Sequence, residues 1–535
     1  MKKSFFLAIL SLVLISVCHS ATTTKHFRTS NGIISLEIKY DGKIHVSDDD
    51  RSIRSISPNG FLNIGYRTFG NKRELMINSD RSGQLSYEFH EGRKEIPFEP
   101  EGRKWLSDVL LEVVRSTGID ADGRTTRFYS GQGIDAFVGE VSQIKSNSVQ
   151  GKYFGALLSD HILNEPELIK TAAAISQEMS SNSSIGRLFR EHADLFLTNN
   201  DVAVAYFDAV SRISTNSEVG RIYRNINRSL DFENPRLVFA YFNGIDKMSS
   251  SSEAGSSLRH TIENQSLPKG AQIAMFESVA RMSSNSEAGR VLRSVGKIDL
   301  EDREIIEAYF RAVDHLSSNS EAGSVLRDLL KKNKVEGPAM VAFLGSSRKI
   351  SSNSEVGSVL RSIRHLNLDE VKIRESYFSV VRHLSSDSES GRTLRHTLET
   401  YKFTSPALIS FYETTRSINS IAETGSVLRS SLAHLSSEKP VLDAFFTTVN
   451  SLSSSTEHGR VLRQFAGMGN LSTYAQEGIL HSARKISSNS EKGYVLRTVA
   501  PMIREGNSQL KELYIDTARS LSSDTEFRRA MEAIM

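Results

Sequence analysis

Ser284-Asn285-Ser286-Glu287-Ala288-Gly289-Arg290-Val291-Leu292-Arg293 is the stretch on which the reading of this chain turns. Its glycine is one of eleven in register: Gly151, Gly186, Gly220, Gly255, Gly289, Gly323, Gly357, Gly391, Gly425, Gly459 and Gly493. The spacing is 34 residues in eight intervals and 35 in two. One more step of 34 lands on Phe527, in the same serine- and glutamate-bearing context. A fixed period of this length marks a repeat architecture.

A single repeat gives the local structure. From Glu304 to Leu316, Ile305, Ile306, Tyr309, Phe310, Val313 and Leu316 form one face of a helix. Ser317-Ser318-Asn319-Ser320 interrupts it. Ser318, with Glu321 three residues on, has the signature of a capping box opening a second helix. Ala322, Val325, Leu326 and Leu329 then line that helix. Such a hairpin cannot cover its apolar face alone, so hairpins must stack. The predicted fold is mostly α: an α-solenoid of about twelve 34-residue helical hairpins over residues 134–535. With helices packed 8–10 Å apart, a curved rod on the order of 100 Å long is expected. A glycine inside a helix costs about 1 kcal/mol against alanine. Eleven of them imply a neighbouring helix that crosses too closely to admit a Cβ.

Two charged columns follow the period. Four residues after each glycine but the first stand Arg190, Arg224, Arg259, Arg293, Arg327, Arg361, Arg395, Arg429, Arg463 and Arg497. Such a ladder could hold an anionic polymer or an acidic partner. Glutamates at 218, 253, 287, 321, 355, 389, 423, 457 and 491 balance it, which favours bonds between neighbouring repeats and a structural role. A looser column lies eight residues before the glycine, at the end of the first helix: Arg212, Lys247, Arg281, His315, Lys349, His383, Lys485 and Arg519. Cations suit a helix C-terminus through the dipole, and the same residues are the candidate partner-binding stripe. The pairs Tyr206-Phe207, Tyr241-Phe242, Tyr309-Phe310, Tyr377-Phe378 and Phe445-Phe446 read as core, with one member of each pointing inward.

Ahead of the repeats the pattern changes. Residues 21–100 are β-rich: Ile33 to Tyr40 alternates apolar and polar, Asp41-Gly42 is a turn, and Lys43 to Val46 completes a hairpin signal. Further extended runs at Phe61 to Tyr66, Glu74 to Ile77 and Leu85 to Phe89 suggest a small antiparallel sheet with one covered face. Residues 101–133 form a helical connector that Trp105 packs onto that sheet. Residues 1–20 read as a signal peptide, with Lys2 and Lys3, an apolar run from Phe5 to Val17 and cleavage after Ser20. Lipidation at Cys18 is the alternative, and Leu14-Ile15-Ser16-Val17 suits it poorly. The expectation is an exported protein, periplasmic or extracellular.

The second-helix string resembles HEAT-like repeats of exported bacterial proteins. The N-terminal block is similar to theirs as well, at Arg54-Ser55-Ile56-Ser57-Pro58-Asn59-Gly60 and at Ile96-Pro97-Phe98 with Trp105-Leu106. Related extracytoplasmic segments are fused to membrane metallopeptidases of the beta-lactam-sensor type. The resemblance implies an envelope location and a sensing or interaction role. It carries no peptidase activity here, because His90-Glu91 is followed by Gly92-Arg93-Lys94 and no second histidine.

Several classes are disfavoured. Removal of the leader leaves 64 basic residues (66 less Lys2 and Lys3) against 63 acidic, too even a balance for a nucleic-acid binder. It also removes the only cysteine, and with it disulfides and thiolate chemistry. Gly131-Gln132-Gly133-Ile134-Asp135-Ala136 matches a dinucleotide fingerprint without the β-α-β context. It reads as the loop into the first repeat, with Gly133 near the cap. No catalytic residue, metal ligand or cofactor site is assigned. The leading expectation is a non-catalytic scaffold binding proteins of the bacterial cell envelope. The alternative is a regulatory subunit of an envelope peptidase or sensor, and the remote one a hydrolase with its site in the β-rich part.

Overall fold

The computed structural model describes residues 24–30, 34–69 and 71–535. The leader at 1–20, its cleavage point, Cys18 and Ile33 lie outside them. The chain divides into two compact units, Met1–Glu218 and Val219–Met535. The fold is an α-solenoid of helical hairpins preceded by a small antiparallel β-rich domain.

In the first unit, β1 (Lys25–Ser30), β2 (Ile34–Asp41), β5 (Phe61–Thr68), β6 (Asn71–Ser79), β7 (Leu85–Glu91) and β8 (Lys94–Ile96) form one sheet in the order β1-β2-β5-β6-β7-β8. β3 (Ile44–Val46) and β4 (Ile53–Ile56) form a separate pair. The expected hairpin across Asp41-Gly42 therefore does not form. β2 is flanked by β1 and β5, and Gly42, at φ +86°, turns the chain out of the sheet toward β3. The strands alternate as a half-covered sheet requires. Leu36, Ile38, Leu62, Ile64, Leu75 and Ile77 are buried on one face, beneath the helix Arg103–Thr117. Trp105 of that helix meets Phe89 of β7 at 5.4 Å between ring centroids. The segment Ala121–Val141 is broken at Gly133, whose φ of +79° no other residue type adopts readily.

From there twelve hairpins follow in sequence, the first ending with the helix Asn147–Asp160 and the last with Asp524–Ile534. First helices pack on first helices and second on second, as Lys269–Ala280 does on Arg303–Asp314 and Asn285–Ser294 on Asn319–Lys332. Both members of each aromatic pair are buried, not one, because a first helix is covered by its own hairpin and by its neighbours. Phe276 and Tyr309 meet edge-on across a repeat boundary at 5.3 Å.

The Ser-Ser-Asn-Ser turns tie consecutive repeats together. Asn285 Oδ1 accepts the Ser317 and Ser318 amides, and its Nδ2 donates to Ser317 Oγ at 3.0 Å. Asn319 and Asn353 do the same for Ser351 and Ser385. Where aspartate replaces asparagine, Asp387 takes the Asn419 and Ser420 amides at 2.9 Å.

Between residues 216 and 400 the second helices alternate in length. The second helices Asn216–Arg224, Asn285–Ser294 and Asn353–Arg361 have 9, 10 and 9 residues. Those between and after them, Ser251–Asn264, Asn319–Lys332 and Asp387–Thr400, have 14 each. Every short helix is followed by a long loop, which the residue ending the next long helix holds. Leu230 N donates to Gln265 Oε1 at 3.0 Å, and Ile298 N to Asn333 Oδ1 at 2.9 Å. The Tyr401 hydroxyl donates to the Ile363 carbonyl at 2.6 Å. Gln265, Asn333 and Tyr401 stand 68 residues apart, as do Leu230, Ile298 and Leu366. The structural period here is a pair of hairpins.

Candidate functional site

The arginine column is consumed inside the array. In the first unit Arg190 Nη1 donates to Glu218 at 2.6 Å. In the second, Arg224 reaches Glu253 at 2.8 Å, Arg259 Glu287 at 3.0 Å, Arg293 Glu321 at 2.7 Å and Arg361 Glu389 at 2.8 Å. Arg327 pairs with Glu355, Arg395 with Glu423, Arg429 with Glu457, Arg463 with Glu491 and Arg497 with Glu526. Each bridge joins one second helix to the next. Its hydrogen bond from Arg497 holds the Glu526 carboxyl below the usual carboxylate range.

This geometry corrects two expectations. Ser318 does cap its helix by accepting from the Glu321 amide, but the Glu321 carboxylate serves Arg293 rather than turning back to close a box. The glycines likewise make room for a side chain, not for a crossing backbone. A Cβ on Gly459 would stand 2.7 Å from Glu491 Oε2 and 3.0 Å from Arg463 Nη1. A Cβ on Gly186 would stand 2.6 Å from Glu218 Oε2. Gly151 is the internal control. The arginine position after it is Gly155 and the glutamate position is Ser184, and a Cβ there would meet nothing closer than 3.5 Å.

The second column lies on the surface. Lys247, Arg281, His315 and Lys485 cap the C-termini of their first helices, and Lys349, His383 and Arg519 are the last residues of theirs. Arg212 follows the helix Asn200–Val210 by two residues. All eight are exposed. Arg281 leans on Asp246, Lys349 on Asp314 at 2.5 Å and Arg519 on Asp516 at 3.1 Å. Exposed pairs of this kind contribute little to stability, and water competes for them readily.

One polar cluster occurs at a single place, in the first unit, and the periodic pattern gave no sign of it. Arg124 is fully buried and donates to both Asp50 oxygens at 3.0 and 2.8 Å, to Glu140 at 2.8 Å and to the Tyr153 hydroxyl. Arg127 adds a bond to Asp50 at 2.7 Å, and Arg115 grips Glu140 at 3.0 and 2.7 Å. Beside them Asp120 accepts from the Val46 amide and pairs with His45 Nδ1, both at 2.9 Å. Burial pulls the Arg124 pKa down, and the hydrogen bonds to Asp50 with the Glu140 and Asp50 charges more than reverse it. The cluster clamps the β3–β4 turn onto the following helices. Its carboxylates are saturated by guanidinium groups, which is the opposite of what a general base or nucleophile needs. The acidic run Asp48-Asp49-Asp50 in a turn, against Arg124 and Arg127 three apart on a helix, was the available signal.

Among the described residues no group of three or more His, Cys, Asp or Glu is placed to hold a metal ion, and no helix is long and apolar enough to cross a membrane. No family model and no curated protein matches the chain. Alignments to known structures include a homology model of the full-length AP-3 complex in an intermediate open conformation. It is 11% identical over 81% of this chain and 90% of that chain, with a TM-score of 0.27. The pentatricopeptide repeat protein PPR10 in complex with an 18-nt psaJ RNA element aligns at 11% identity over 82% and 79%, with a TM-score of 0.21. The Chs5-Bch1 exomer cargo adaptor complex aligns at 9% over 94% and 84%, with a TM-score of 0.17. None of the three superposes closely enough to inform the partners or activity of this chain.

Proposed function

We propose that the chain is a non-catalytic scaffold of the bacterial cell envelope that holds protein partners on its repeat surface. The observation that carries this reading is the contrast between its two cationic columns. The second-helix arginines are spent on glutamates of the next repeat, whereas the first-helix cations stand exposed at matching positions of many repeats. An enzyme concentrates chemistry at one place; a scaffold spreads contacts over equivalent positions. The concentrated polar cluster among the described residues, around Arg124, is internally neutralised. Export, and with it the envelope location, rests on the residues of the N-terminal leader and on the family resemblance of the repeats.

The test is capture from envelope extracts by the full mature chain and by its Arg212→Glu/Lys247→Glu/Lys485→Glu variant. A partner retained by the first and lost by the second is the expected result. Equal recovery of every captured protein by both would contradict the reading.

A further inference from the structure

The short helix Asn353–Arg361 stands between two helices of 14 residues, Asn319–Lys332 and Asp387–Thr400. The missing five residues amount to about a turn and a half, and a notch of about 440 Å3 opens there. Arg327, Lys331, Arg361, Arg364 and His396 line it together with the apolar Leu330 and Ile363, and no carboxylate stands in its wall.

The equivalent notch one 68-residue step earlier, over the short helix Asn285–Ser294, is plugged from within. Lys332 Nζ donates to the Arg293 carbonyl and, at 3.4 Å, to that of Val295. In the later notch Thr400 holds the position of Lys332, too short to reach across, and shares a 3.3 Å bond with His396 instead. Although that exchange removes one cation, three other positions shift the charge toward positive. Glu263, Gly296 and Asp328 of the earlier notch correspond to Lys331, Arg364 and His396 of the later one.

The balance is decisive. With the ladder pairs included, the earlier site sets Arg259, Arg293 and Lys332 against Glu263, Asp328, Glu287 and Glu321. Three cations against four carboxylates give −1. The later site sets Arg327, Lys331, Arg361 and Arg364 against Glu355 and Glu389, which gives +2 with His396 neutral. Its excess sits on Lys331 and Arg364, both exposed and neither in an ion pair among the described residues.

We propose that this notch is a docking site for acidic side chains of a partner protein segment. Uncompensated cations beside the apolar Leu330 and Ile363 suit the charged head and aliphatic stem of a glutamate. An opening of this size takes side chains rather than a folded element. The assignment rests on the chain being a protein-binding scaffold, and it names the chemistry of what is bound at one repeat.

The probe is a fluorescein-labelled octaglutamate peptide, followed by anisotropy with the full mature chain in 20 mM and 150 mM salt. Lys331→Glu/Arg364→Glu is expected to weaken binding at least ten-fold, and a control at two exposed arginines of the β-rich part, Arg81→Glu/Arg93→Glu, less than two-fold. Thr400→Lys separates the notch from general attraction. It adds a positive charge, yet as a plug on the Arg361 and Ile363 carbonyls it is expected to weaken binding at least three-fold. Circular dichroism melts establish that each variant folds. Tighter binding by Thr400→Lys, or unchanged binding by the double variant, overturns the proposal. Displacement by inorganic phosphate at concentrations equal to the peptide overturns the choice of an acidic segment. Loss of partner capture by the column variant, with peptide binding intact, leaves the notch standing and bears on the scaffold alone.

Discussion

Glu457 rests on Gly425: its Oε2 lies 2.5 Å from where a Cβ on that glycine would be, with its partner Arg429 Nη1 beside it at 3.1 Å. The recurring glycine is therefore one member of a three-residue device whose other members sit four residues on and in the next repeat.

Gly425→Ala should destabilise the protein by about 1–2 kcal/mol, because overpacking outweighs the helix propensity that alanine gains. In a Glu457→Ala background the same change should become stabilising by up to about 1 kcal/mol. Urea titrations of the four proteins give the coupling, and additive effects would contradict the packing account.

Gly151→Ala should be neutral or stabilising, by up to about 1 kcal/mol, since only ordinary contacts await its methyl group. Differential scanning calorimetry against Gly425→Ala makes the comparison. A loss of stability at Gly151 would mean that the glycine serves something other than the ion pair.

His458 is buried with its Nε2 2.8 Å from Ser482 Oγ, and burial, followed by the Lys485 charge, pushes it down to about 4. Unfolded histidine titrates near 6.5, so between these values the unfolded chain binds more protons. The contribution is fully present above about pH 6.5 and is lost as pH falls toward 4, on the order of 3 kcal/mol. His458→Gln should flatten that part of the stability profile. An unchanged slope between pH 4.5 and 6.5 would show that other groups set it.

Arg124→Met should cost about 3–5 kcal/mol in the first unit, because Asp50 and Glu140 would be left buried with fewer partners. Arg124→Lys should recover little, since an ammonium cannot span both Asp50 oxygens, Glu140 and Tyr153. Thermal unfolding of the full chain checks both, and near-native stability of the methionine variant would refute the clamp.

The sequence carried the array well because it is periodic. Gly289, Glu287 and Arg293 recur at fixed offsets, and repetition averages away local noise. What escaped it was singular or second-order. The Asp50–Arg124 clamp joins residues 74 apart in a non-repeating region, where no register points one at the other. The β2–β5 pairing beat the Asp41-Gly42 hairpin because Leu62 and Ile64 complete the buried face that Leu36 and Ile38 begin, a choice made by the sheet as a whole. The alternation of short and long second helices was visible in Gln265, Asn333 and Tyr401, but those residues differ in type and agree only in the loop they hold. The exposed cations could be placed at helix ends from the register, whereas Lys331 and Arg364 could not be brought together until the shortness of Asn353–Arg361 was known.

The 68-residue recurrence also sets the step in which this part of the array can change length. Excision of residues 303–336 would place the short helix Asn285–Ser294 directly before the short helix Asn353–Arg361, and the loop at 295–302 would meet no Asn333 to fasten it. Excision of residues 303–370 removes two hairpins and brings Tyr401 up behind that same loop, so that short and long still take turns. Removing or adding hairpins in pairs therefore keeps the alternation and its loop fastenings, and an odd number breaks both.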